Sequence, residues 1–187
     1  MRQSRSPAPK RRPYRLAVLL AAMCVPGLWA CAGYGYSYSG SALNPGQSTL
    51  EDVRATMGTP ALEWVNPDHS MQLSYPRGPS GFHSYMVYLD PAGRLQRIQN
   101  VMNLDSFYRI ARGMTEEQVL RILGPPWPAW TNYFPARREL VWEWRFCNDS
   151  SQAARFDVVF DGDSHTVRTS FGQPEVGFID GPPPCGR

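Results

Sequence analysis

No acidic residue occurs among the first thirty of the 187 positions, while six basic ones do: Arg2, Arg5, Lys10, Arg11, Arg12 and Arg15. That one-sided stretch distorts the formal net charge of +3; without it, thirteen Lys+Arg face sixteen Asp+Glu, a net charge of −3. Basicity confined to one end reads as an address, which excludes nucleic acid as the leading partner. The chain also lacks a nucleophile elbow, a phosphate-cradling glycine loop, an HExxH pair and a CxxC pair. No enzymatic activity, no metal site and no cofactor are therefore expected. Prolines and glycines, by contrast, are plentiful at eighteen and sixteen, and they predict many turns and short elements.

After the basic stretch, Leu16–Leu28 is mostly apolar and is broken by Pro26-Gly27. A basic segment followed by an apolar run too short for a membrane span is the layout of a secretory signal. Leu28-Trp29-Ala30-Cys31 then resembles the lipobox of bacterial lipoproteins, which implies cleavage after residue 30 and lipidation of Cys31. Acyl chains such as palmitate contribute about 0.8 kcal/mol per buried CH₂, so several of them anchor firmly to a bilayer. The alternative is an ordinary cleaved signal with a structural Cys31. Ala32, in place of aspartate, implies by the same resemblance an outer-membrane destination. Residues 31–46 are rich in Gly, Ser and Tyr without an apolar period and read as a flexible tether.

The folded part repeats itself. Residues 48–60 align with residues 114–126 at a constant offset, so that Thr49, Val53, Met57, Gly58 and Pro60 match Thr115, Val119, Leu123, Gly124 and Pro126. Thr49 and Thr115 suit helix N-caps; Gln118 completes a capping box, and Asp52 approximates one. Val53/Met57 and Val119/Ile122/Leu123 recur at helical spacing, and each glycine suits the left-handed position after the last turn, with proline preventing continuation. Strands are predicted at Met71–Tyr75, Tyr85–Leu89 and Leu95–Val101 in the first copy. In the second they are predicted at Leu140–Cys147, Arg155–Phe160 and Val167–Phe171. Leu140–Cys147 alternates, with Trp142, Trp144 and Phe146 on one face and Val141, Glu143 and Arg145 on the other. Leu104–Arg112 is helical in pattern and ends at Gly113. The fold class is thus α+β: two tandem modules, 47–103 and 104–174, each with one or two short helices on a three- to four-stranded antiparallel sheet. A Pro-rich tail, 175–187, follows.

The stretch Gly113-Met-Thr-Glu-Glu-Gln-Val119 through Leu123-Gly-Pro-Pro126, continuing to the Trp-rich strand and Phe160-Asp-Gly162, resembles the SmpA/OmlA (BamE-like) family of small outer-membrane lipoproteins. The resemblance covers most of residues 46–171, twice over; the tandem layout also resembles that of β-lactamase inhibitory protein. It implies a lipid-anchored protein on the periplasmic face of the outer membrane, acting as a non-enzymatic interaction module in outer-membrane protein assembly or envelope integrity. Its partners would be envelope proteins, among them the assembly machinery, with the bilayer reached through Cys31. The tandem layout implies as an alternative an inhibitor of a periplasmic hydrolase such as a β-lactamase. A cell-wall glycan-binding module is a further alternative, resting on the Trp and Tyr loops.

Residue chemistry adds three expectations. With Cys24 in the signal and Cys31 lipidated, Cys147 and Cys185 remain in a compartment that permits disulfides. Bonded, they would close a loop worth on the order of 3–4 kcal/mol; free or intermolecular thiols are the other outcome. His69, His83 and His165 all sit in turn-rich stretches and read as surface histidines. A Cys147/His165 nucleophile pair and a cation loop at Asp161–His165 are weaker readings than a structural cysteine and a hairpin turn. Finally, Trp127, Trp130, Tyr133 and Phe134, with Arg137 and Arg138 beside them, lie in one predicted loop. They have the composition of a binding hot spot, against the plainer role of covering the sheet or the module interface.

Overall fold

The computed structural model describes residues 39–78, 81–175 and 183–185. The signal-like segment, Cys31 and the tether up to residue 38 lie outside the described residues, as do 176–182 and 186–187 of the tail.

Helix α1, Leu50–Met57, precedes strands β1 (Leu62–Val65), β2 (Met71–Pro76), β3 (Ser84–Leu89) and β4 (Leu95–Asn100). The second module has α2 (Leu104–Phe107), α3 (Glu116–Leu123) and a 3₁₀ turn at Pro128–Trp130. Its strands are β5 (Thr131–Phe134), β6 (Glu139–Cys147), β7 (Ala153–Asp161) and β8 (Val167–Pro174). Each module carries a four-stranded antiparallel meander, β1-β2-β3-β4 and β5-β6-β7-β8, so the fold is α+β with two sheets.

The repeat is physical as well as textual. Both α1 and α3 begin with a complete capping box, including the Asp52 version, because Asp52 Oδ2 still reaches the Thr49 amide at 2.8 Å. Thr49 bridges to Arg94 and Thr115 to Thr166, stitching each helix start to the hairpin before the fourth strand. Both sheets carry a register shift at the same place, between Tyr88 and Leu89 and between Val159 and Phe160. Gly58 and Gly124 close the helices with φ of 85° and 75°, but with ψ of −159° and −179°. That is the extended positive-φ region open essentially to glycine alone, stricter than the left-handed position expected from sequence. Each glycine carbonyl then accepts from an aromatic donor on the second strand: Tyr75 Oη reaches Gly58 and Trp144 Nε1 reaches Gly124, both at 3.2 Å.

Packing follows from strand alternation. On one side of the first sheet, Leu73, Tyr75, Val87, Leu89 and Leu95 bury Val53 and Met57 of α1. Its other side turns Trp64, Met86 and Tyr88 toward the second module and joins a core with Val119, Ile122 and Leu123 of α3 and Trp142, Trp144, Phe156 and Phe160 of the second sheet. Helix α3 is therefore shared. Gln72 Nε2 donates to the Arg121 carbonyl at 2.6 Å and Ser84 Oγ to the Leu123 carbonyl at 3.3 Å, satisfying orphan carbonyls at its C-terminal end. The order of layers is α1, first sheet, α2 with α3, second sheet, and all of it belongs to one compact unit.

Three expectations change. Residues 40–46, read as the end of a tether, are packed: Leu43 lies on the first core, Gly40 approaches Ile98 and Met57, and the Gly46 amide donates to the Leu95 carbonyl at 2.7 Å. The helix read over 104–112 stops at Phe107, and 108–113 continue as turns that bring Ile110 into the core and end at Gly113 with φ of 87°. Residues 131–134, read as loop, form the edge strand β5 paired to β6.

Candidate functional site

A cleft of 320 Å³ opens between the modules. Its walls come from Leu62 of β1, Pro76 at the end of β2, Gly78 just after it, Met102, the Pro125-Pro126-Trp127 turn, Trp130 and Trp144. The turn exists because Gly124 breaks α3 and the two prolines forbid its continuation, which sends Trp127 out over the seam, 41% exposed. Arg77, His83 and Arg145 also line the cleft. Burial, with the Arg77 guanidinium adding to it, pushes the His83 imidazole below its usual range, so it is neutral at pH 7. His83 stacks on Tyr85 at 5.9 Å between centroids, and Arg145 lies 4.3 Å over the Phe82 ring. The cleft is thus mainly apolar, with Arg77, His83 and Arg145 as its polar lining.

The six aromatic and arginine residues expected to form one patch are divided among three places. Trp127 and Trp130 line the cleft, with the Arg155 guanidinium 4.1 Å above the Trp130 ring. Because β5 is a strand, its neighbours face opposite ways. Phe134, with Arg137 stacked on it at 4.6 Å, lies on the outward face of the second sheet, whereas Tyr133 points to the other side beside Gly162. Arg138 sits at the hairpin, φ 49°, paired with Asp163 at 3.0 Å.

The outward face of the second sheet carries a dense charge network. Arg155 binds Glu143 and, at 2.9 Å, Glu175; Arg145 binds Glu175 at 2.7 Å. Burial works against the Glu175 charge, but the hydrogen bonds from Arg145 and Arg155 outweigh it and hold the carboxyl below its usual range. Asp157 stands directly opposite Glu143 in register and is only 4% exposed. Gln173 Nε2 donates to its Oδ2 at 2.5 Å, while Oδ1 has no hydrogen-bond partner among the described residues. A depression of 450 Å³ opens over the pair, floored by Val141 and Val159 and edged by Phe134 and Phe171.

A disulfide joins Cys147 to Cys185, with Cα atoms 5.7 Å apart, so Cys147 is no free nucleophile for His165. The Ala153 amide donates to Pro183 and the Cys185 amide to Ser151, so the tail is also held to the end of the sheet by backbone bonds. His165 instead reaches Glu116 at 2.6 Å, tying the last hairpin to the start of α3, and His69 sits in the β1–β2 turn at φ 66°. Asp161 accepts from the Asp163 and Ser164 amides and from Arg168, which makes it the pivot of a hairpin. Among the described residues no group of three His, Cys, Asp or Glu side chains is placed to hold a metal ion. No helix there is long and apolar enough to cross a membrane.

Sequence reasoning singled out Trp127 and Trp130 but missed Leu62, Met102 and Asp157. Leu62 and Met102 carry no motif, and only tertiary packing brings them to the cleft. Alternation in Arg155-Phe-Asp157 would have put Asp157 beside Glu143 had the strand register been known. No family model, curated protein or solved structure matches the chain.

Proposed function

We propose that this protein is a non-enzymatic protein-interaction module, held by lipid on Cys31 at the periplasmic face of the outer membrane. The observation that carries the binding reading is the cleft between the modules, where an exposed tryptophan stands above apolar walls contributed by both sheets. Its composition, aromatic and aliphatic residues with two arginines among them, is that of an interface anchor site. Such a cleft takes one bulky apolar side chain or a short apolar segment of a partner. The signal-like N-terminus, the lipobox-like Cys31 and the resemblance to SmpA/OmlA lipoproteins support an envelope partner, the outer-membrane assembly machinery among them.

The test places a photoreactive side chain at Trp127 and, as a control, at Glu51 on the far side of the molecule, in cells of the native host. The reading expects one discrete crosslinked species from Trp127 that disappears when Leu62→Asp charges the cleft floor. No species, or the same one from Glu51, overturns it. Intact-mass measurement on the outer-membrane fraction tests the anchor: a triacylated chain beginning at Cys31 supports it, and an unmodified soluble chain removes it.

A further inference from the structure

The outward face of the second sheet holds one carboxylate more than its arginines neutralise. Arg155 and Arg145 serve Glu143 and Glu175, Arg137 serves Glu139, and Arg168 serves Asp161 and Glu139. Asp157 has no arginine of its own, although it is the most deeply buried of these acids. A buried carboxylate with an unfilled acceptor costs free energy unless it takes a proton or meets a cation. Above it lies an open depression lined by Val141, Val159, Phe134 and Phe171 together with polar side chains, among them the Arg137–Glu139 pair.

We propose that this depression is a binding site for one arginine side chain presented by a partner protein, its guanidinium seated on the Asp157 and Glu143 carboxyls. The planar fork suits two carboxyls side by side, and its stem and flat face suit Val141, Val159 and Phe171. This site lies on the outward sheet face, and it stands whether or not the cleft between the modules binds anything.

With no cation bound, Asp157 takes up a proton as pH falls below about 6. Burial, reinforced by the neighbouring Glu143 carboxylate, raises the Asp157 carboxyl to about 6, against the opposing pull of the Gln173 hydrogen bond and the Arg155 charge. The groups around it are Glu143 and Arg155 on β6 and β7, Gln173 on β8, Glu175 beyond the strand held by Arg145, and, in the same depression, Arg137 paired with Glu139. Below that value, seating a guanidinium expels the proton to solvent; above it, both carboxylates are already charged. Binding therefore competes with protonation, and affinity falls about tenfold from pH 8 to pH 5.

The full chain in detergent micelles is titrated with N-acetyl-arginine methylamide and followed by backbone amide NMR at pH 8 and pH 5. The expected result is saturable shifts confined to β6, β7 and β8, weaker at pH 5 by the stated factor. The neutral citrulline counterpart gives none. Asp157→Asn, and independently Glu143→Gln, weaken binding at least tenfold at pH 8, while Trp127→Ala leaves it unchanged. Absence of saturable shifts, equal binding of citrulline, or indifference to both substitutions overturns the proposal. So does calcium chloride producing the shifts where the arginine derivative does not.

Discussion

A carboxyl whose folded-state affinity for protons exceeds its unfolded one stabilises the fold only while it stays protonated. Asp157 is such a group, its value raised to about 6 from an unfolded value near 3.8 by burial and by Glu143. Its contribution is complete below the unfolded value and is lost as pH rises through about 6, leaving a penalty on the order of 2–3 kcal/mol at neutral pH. Asp157→Asn keeps the shape and the Gln173 contact without the charge. Urea unfolding should show the variant more stable than the parent by about 2 kcal/mol at pH 7.5 and no more stable at pH 4; a variant less stable at both would contradict this. The sequence already placed Glu143 on the face opposite Trp142 and Trp144. It could not show that Asp157 shares the acid's company, because that depends on the pairing of β6 with β7, on Gln173 arriving from β8 and on Glu175 from just beyond it. The aromatic and arginine cluster failed at the same scale. Once 131–134 is a strand, Tyr133 and Phe134 must face opposite ways.

Helices α1 and α3 were legible because their signals are local: a threonine cap, a reciprocal side chain three residues on, an apolar stripe and a glycine stop. Their strictest position is Gly124. A Cβ there would collide with Ser74 Oγ and lie 3.2 Å from Ser84 Oγ, at a φ and ψ that only glycine adopts cheaply. At Gly93, φ is 74° but the space around a Cβ is open. Gly124→Ala should therefore lower stability by about 3 kcal/mol or more, and Gly93→Ala by about 1 kcal/mol, in denaturant titrations. Equal costs would show that the close approach of α3 to the first sheet does not matter. Strands β1 and β5 escaped the reading for a different reason. Four residues between prolines are too few for a period of two to declare itself, and their identity rests on the neighbours β2 and β6.

Two modules were legible from the offset of 66 between the helices; that one helix serves both sheets was not, since sharing is a matter of which face meets which. Val119 and Leu123 are fully buried between the sheets, and Met86, on the first sheet, belongs to the core that contains Trp142 and Trp144. The chain should unfold in one step, with far-ultraviolet circular dichroism and tryptophan fluorescence superimposable. Met86→Ala should move both signals together, at a cost of about 2–4 kcal/mol. Two separated transitions would mean independent modules.

The shared helix also fixes a direction. The first sheet presents the cross-strand pair Ser74 and Met86 to the following helix, and the aromatic clamps align that pair with Glu143 and Asp157 on the second sheet. A stack in which every sheet accepts the next helix is a head-to-tail series with no natural end, the geometry of a filament. Acids stand on the second sheet where the first sheet has a serine and a methionine, so its outward face is built to reject the apolar side of another such helix.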